Sequence, residues 1–150
     1  MIIDSSALVA ILTGESDARA FLRAIRSTPV RRLSAASYVE VAAVIDGRRD
    51  PVLSAALDHL IARMTIEVVP LTVQQSRVAR EAYQRYGRGS GHPARLNLGD
   101  TFSYALARDL GEPLLFKGRD FALTDIELLV EPVKSRRLSE VIAGYEAGAR

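Results

Sequence analysis

Four carboxylates stand where apolar segments of this chain end. Asp4 follows Met1–Ile3 in MIIDSSALVAIL, and Glu40 lies in SAASYVEVAAVI among almost wholly apolar neighbours. Asp100 follows Gly99 at the start of a helical pattern, and Asp120 lies in LLFKGRDF. Taken singly, each has an ordinary explanation. Asp4 and Asp100 suit helix N-termini, where a carboxylate stabilises by roughly 0.5–2 kcal/mol. Glu40 suits a half-buried helix with its head at the surface, since glutamate is rarely buried unpaired. Asp120 suits turn chemistry. Taken together they suggest more. Acids that converge repel one another and are driven to protonate, and a hard divalent cation removes that conflict. With no cysteine and two histidines, oxygen donors point to Mg²⁺ or Mn²⁺. Such ions activate water and offset charge on a phosphoryl group. The chemistry favoured is metal-assisted phosphodiester hydrolysis.

Other chemistries find less support. Absence of cysteine removes disulfides, thiolate–zinc sites and thiol nucleophiles, and fits a reducing compartment. Ser5 and Ser6 lack a G-x-S-x-G setting. His59 sits on an amphipathic pattern and His92 in a basic loop, and neither fits a catalytic triad. The stretch GRGSG lacks the G-K-[ST] ending of a phosphate-binding loop and does not follow a strand.

The elements that must position the acids are short. MII (1–3), RRLSAAS (31–37), IEVVPL (66–71), PLLFK (113–117) and IELLV (126–130) read as strands. Helical patterns separate them: SALVAILTG, residues 16–27, YVEVAAVIDGRR, a helix opened by Pro51, one from Thr72 to Tyr86, and DTFSYALARDL. Alternation of this kind predicts an α/β fold, a mostly parallel sheet of about five strands covered by helices on both faces. In such a sheet ligands sit outside the carboxyl ends of the strands, and Asp4, Glu40 and Asp120 all follow strands. The loop 87–99, GRGSGHPARLNLG, is a candidate functional loop. Near it, Arg85, Arg88 and Arg95 are candidates to hold RNA phosphates on electrostatic grounds. In the tail, Leu138, Val141, Ile142 and Tyr145 fall at helical spacing and predict an amphipathic helix.

A chain of 150 residues with 48% hydrophobic and 25% charged residues is most simply one globular domain. Asp4 arrives before any signal-peptide core could form, and no apolar run reaches the roughly 18 residues of a membrane span. A cytoplasmic protein without membrane association is expected. The net charge is +2 and the basic residues are nearly all arginine, which pairs bidentately with phosphates and carboxylates. An RNA or acidic-protein partner and plain surface charge fit this equally.

The segments IIDSSALVAIL, SAASYVEVAAVI, LNLGDTFSYALA and LLFKGRDFALTDI resemble, in order and spacing, the motif blocks of PIN-domain proteins, in particular the VapC-type toxins of bacterial toxin–antitoxin pairs. The blocks span about residues 1–127. The resemblance implies a three-layer domain over 1–131, with a C-terminal helical extension over 132–150, and a Mg²⁺-dependent endoribonuclease. Asp4, Glu40, Asp100 and Asp120 match the family's acidic quartet. Asp4 and Asp100 would be the metal ligands, with Glu40 and Asp120 acting through water or a second ion. Ser6 would steady the site, supported by Asn97 and Asp125. A homodimer and a VapB-type antitoxin, inserting an arginine-bearing segment into the pocket, are implied as well. Two readings stand against this one. A PIN-like module without catalysis would bind RNA or protein only. A receiver domain would also carry an acidic pocket, and Lys117 would suit it, but VVPLTVQQ has no acid at the third strand end.

Overall fold

The computed structural model describes residues 1–129. The expected helix over 132–150 lies outside the described residues. Four short strands, β1 (Ile2–Ile3), β2 (Arg32–Ser34), β3 (Glu67–Val69) and β4 (Leu114–Leu115), form one sheet in the order β3-β2-β1-β4. All three pairings are parallel, with Ile2 opposite Arg32 and Leu114, and Leu33 opposite Val68. Six helices connect them: α1 (Ser5–Leu12), α2 (Ala18–Ser27), α3 (Ala35–Asp46), α4 (Pro51–Arg63), α5 (Val73–Tyr86) and α6 (Leu98–Leu110). A short 3₁₀ helix, Asp120–Leu123, follows β4.

Strand side chains alternate between faces, and that alternation builds two cores. Ile3, Leu33 and Leu115 pack with Leu8, Phe21, Ile25, Val41, Ile45 and Leu57 from the first four helices. Ile2 and Leu114 pack on the other face with Ala82, Tyr86, Tyr104, Leu106 and Ala107 of α5 and α6. The result is a three-layer sandwich in which β1 and β4 are buried on both sides and read as apolar runs.

The helix starts are set by local chemistry. Ser34 caps α3, Asp50 caps α4 ahead of Pro51, and Thr72 forms a reciprocal capping box with Gln75 on α5. At its far end α6 stops at Gly111, whose φ of 62° is a left-handed conformation that favours glycine. The second strand ends three residues earlier than its sequence suggests. Once Ser34 accepts the Ala36 N–H, residues 35–37 belong to α3, because alanine and serine carry no strong strand preference against an available cap. Among the described residues, the expected fifth strand (126–130) shows a single parallel bridge between Leu114 and Leu128.

The loop 87–99 is closed on itself. Gly87 bridges Leu96, Arg88 N–H donates to Leu96 O at 3.0 Å, and Leu96 N–H donates to Tyr86 O at 2.9 Å. Ala94 and Leu96 are buried, and His92 stands edge-on to Tyr86 with ring centres 4.8 Å apart. Among the described residues no helix is long and apolar enough to cross a membrane.

Candidate active site

Asp4 leaves β1 and caps α1. Its N–H donates to Leu115 O at 2.9 Å, which fixes it at the carboxyl edge of the sheet. Oδ2 accepts the Ser6 N–H at 2.9 Å and the Ser6 hydroxyl at 2.6 Å. The Ser6 oxygen in turn accepts the Lys117 N–H at 3.0 Å, tying α1 to the loop after β4. The residue is 1% exposed, and Oδ1 is a buried oxygen without a hydrogen-bond partner. Asp4 therefore caps α1 through Oδ2, and its buried Oδ1 has no hydrogen-bond partner.

Asp100 lies in the first turn of α6. Asn97 Oδ1 accepts the Asp100 N–H at 2.9 Å, and Asp100 Oδ2 accepts the Asn97 N–H at 2.6 Å. This reciprocal box fixes the carboxylate while engaging only one of its oxygens. Burial lifts the Asp100 carboxyl to about 7; the Asn97 N–H opposes that rise, and the charges of Asp4, Asp120 and Glu40 add to it. The three other acids thus act on Asp100 through space, as the convergence argument requires.

Glu40 arrives from α3, one turn beyond Ser37. The Ser37 and Ser103 hydroxyls meet at 3.2 Å where α3 crosses α6. Glu40 then reaches the first turn of α6 beside Gly99. Ser5 donates to Glu40 Oε2 at 2.8 Å. Burial raises its carboxyl above the ordinary range, the Ser5 hydrogen bond opposes this, and the Asp4 charge reinforces it. Asp120 opens the 3₁₀ helix as an exposed acid at the rim.

Acids elsewhere in the sheet have their cations. At the opposite edge Arg32 pairs with Glu112 and with Glu67, the latter at 3.1 Å, and beyond β4 Lys117 pairs with Glu15. None of the quartet has an ion pair among the described residues. No three of the described acids or histidines close into a ready-made metal cage. The donor chemistry nonetheless fits a hard cation that keeps most of its waters and takes one or two carboxylates: a buried, unpartnered Asp4 oxygen and a carboxylate at Asp100 destabilised by its neighbours' charge.

Asp125 is elsewhere. It accepts the Tyr104 hydroxyl at 2.7 Å and lies 3.3 Å from guanidinium nitrogens of both Arg85 and Arg108. With Arg108 and Gly111 it lines a cavity at the C-terminal end of α6. It pins the chain after the 3₁₀ helix to α5 and α6. Burial and the Asp125 hydrogen bond push the Tyr104 hydroxyl up to about 12. Of the candidate phosphate ligands, Arg85 is held by Asp125 and lies 4.7 Å from the Tyr86 ring centre, whereas Arg88 and Arg95 are exposed. Sequence reading assigned no role to Ser5 and Gly99 beside Glu40. The only signal of either was a glycine in the first turn of a helix.

A three-layer parallel α/β domain with Asp4 at the carboxyl edge of its sheet, close enough to Glu40 and Asp100 for their charges to act on one another, is the class these features define. The chain belongs to the PIN domain family, whose model matches residues 1–127. Within that family it is similar to Ribonuclease VapC28 of Mycobacterium tuberculosis, at 56% identity over 127 residues covering 85% of this chain and 96% of that protein. It is also similar to Ribonuclease VapC42 of the same species, at 53% identity over 84% of this chain and 96% of that one. Among solved structures, the fold matches VapC20 of M. tuberculosis, described as a sarcin–ricin-loop-cleaving toxin. That match has a TM-score of 0.70 and 21% identity, over 87% of this chain and 98% of that one. A toxin–antitoxin complex from Klebsiella pneumoniae matches at TM-score 0.61 and 17% identity, over 81% and 89% of the two chains. The receiver alternative falls with this assignment.

Proposed function

We propose that this chain is a divalent-metal-dependent endoribonuclease, the toxin of a toxin–antitoxin pair, acting on cytoplasmic RNA. The observation that carries the reading is the buried Asp4 Oδ1, which has no hydrogen-bond partner and lies in the field of Glu40 and Asp100. The high identity to proteins named VapC ribonucleases supports the choice of RNA.

Asp4 and Asp100 would hold Mg²⁺ or Mn²⁺, with Glu40 and Asp120 contributing through water or a second ion. When bound, the ion supplies activation of water and neutralisation of charge at the phosphoryl group. The remaining work falls to the chain. Ser6 and Asn97 hold the two ligating carboxylates in one orientation each. Glu40, braced by Ser5 and raised by burial, would take a proton from the attacking water. Arg88 and Arg95 present charge to the RNA backbone. Single-stranded loops of structured RNA are the favoured targets, because the major groove of paired RNA is too narrow for side chains to read. A VapB-type antitoxin would neutralise the pocket with an arginine, supplying the counter-charge the quartet lacks, and the working unit would be a homodimer.

The test is RNA cleavage by purified protein with Mg²⁺ or Mn²⁺. Asp4→Asn and Asp100→Asn are each expected to abolish it. Undiminished divalent-dependent cleavage by either variant rejects the proposal. Metal binding without any cleavage would favour a PIN-like module that only binds RNA or protein.

A further inference from the structure

Gly99 is a glycine for a reason its own backbone does not supply. Its φ lies outside the left-handed region that sets Gly111 apart. It occupies the first turn of α6, where alanine is the better helix former; a helix-interior glycine costs about 1 kcal/mol relative to alanine. What a Cβ would meet there is one thing. The three nearest atoms are the two oxygens and the carboxyl carbon of Glu40, all inside the 3.0 Å that real Cβ atoms essentially never breach. No backbone atom is among them. The obstruction is the far end of a flexible side chain, so an added methyl group would displace the carboxylate and leave the helix in place.

We infer that Gly99 is a positioning residue for Glu40: the missing side chain makes the seat in which the Glu40 carboxylate rests against α6, beside Asp100. Ser5 closes the other side of the seat with its 2.8 Å hydrogen bond to Oε2. The paired hydroxyls of Ser37 and Ser103 let α3 and α6 approach closely enough for the seat to exist. The seat also lies at the positive end of the α6 dipole, where a carboxylate is favoured. This inference rests on the nuclease reading only for its catalytic consequence; the steric relation between Gly99 and Glu40 stands without it.

The test is a set of substitutions in the full chain. Gly99→Ala is expected to keep or raise the thermal midpoint of the metal-free protein while kcat for RNA cleavage falls about a hundredfold with KM little changed, since a displacement on the ångström scale costs about that much. Its affinity for Mn²⁺, measured by calorimetry, falls as well. Shortening the displaced group restores function: Gly99→Ala with Glu40→Asp cleaves faster and binds Mn²⁺ more tightly than Gly99→Ala alone. With Glu40→Ala already present, adding Gly99→Ala costs nothing further. Wild-type kcat in Gly99→Ala, losses that multiply in the double variant with Glu40→Ala, or a lowered thermal midpoint would each overturn the inference. If the wild type cleaves no RNA, the nuclease reading fails and calorimetry still decides: equal Mn²⁺ binding by wild type and Gly99→Ala overturns the positioning role.

Discussion

The Ser6 hydroxyl donates to Asp4 at 2.6 Å, and both hydrogen bonds that Asp4 accepts fall on the same carboxylate oxygen. Ser6 therefore holds Oδ2, and Oδ1 is buried without a hydrogen-bond partner. Ser6→Ala keeps the backbone N–H on Oδ2 but removes the shorter hydroxyl bond, and is expected to weaken Mn²⁺ binding and cleavage about 10- to 100-fold, the range typical of groups that orient a metal ligand. Ser6→Thr keeps the hydroxyl and most of the activity. Calorimetry and cleavage assays on the two variants decide this; equal losses in both would show that the hydroxyl is not the operative group.

Asn97 meets Asp100 differently: its backbone N–H donates to the Asp100 carboxylate, while its side-chain oxygen caps α6. Asn97→Ala is expected to cost about 1 kcal/mol of stability through the lost cap, with Mn²⁺ affinity changed much less, because the backbone N–H on the Asp100 carboxylate survives. Asn97→Ser, which keeps a capping oxygen, recovers most of the stability in urea unfolding. A stable Asn97→Ala protein would mean that the box contributes nothing to the helix start.

The Asp100 carboxyl sits at about 7 in the folded chain against an ordinary 3.8. The folded state then holds an extra proton between those values. The stability that proton confers is complete below about pH 4 and is lost as pH rises through about 7. In metal-free protein, wild type should gain thermal stability relative to Asp100→Asn as pH falls from about 8 to 5. Added Mn²⁺ should raise the wild-type midpoint more at the higher pH, where the carboxylate is already ionised. A difference between the two proteins that ignores pH would contradict the assigned shift.

Tyr104→Phe removes the donor that Asp125 accepts at 2.7 Å. The expected cost is about 1 kcal/mol in urea unfolding, with cleavage changed much less than in any acid variant. Asp125→Asn should likewise leave Mn²⁺ binding intact. Loss of divalent binding in that variant would place Asp125 in the metal site after all.

Arg88 and Arg95 are exposed in the loop that leads into α6. If each touches one phosphate, replacing either with alanine reduces the slope of log affinity against log salt by about 0.7, the value for single-stranded nucleic acid. Binding of a non-cleavable RNA by Asp100→Asn protein, titrated across salt concentrations, measures this. Unchanged slopes would remove both residues from the RNA path.

The sequence by itself determined the layer order and the positions of the acids. Short, largely apolar strands with helices between them predict a parallel sheet covered on both faces, and Asp4 could be placed at its edge because it directly follows Ile3. The capping of α5 by Thr72 and the start of α4 at Pro51 were equally legible, since caps are local hydrogen bonds among neighbours in the chain. Tertiary structure alone decided which oxygen of Asp4 is left over, because that depends on Ser6 being held by Lys117 from 111 residues away. It decided that Asp125 anchors arginines beside Tyr104 and lies outside the acidic pocket, although both belong to recognisable motifs. It also decided that the second strand yields to a helix at Ala35, and that Gly99 faces Glu40 from 59 positions along the chain. Local signals are written in adjacent residues; the seat for Glu40 exists only where two helices cross, and no stretch of either helix alone contains it.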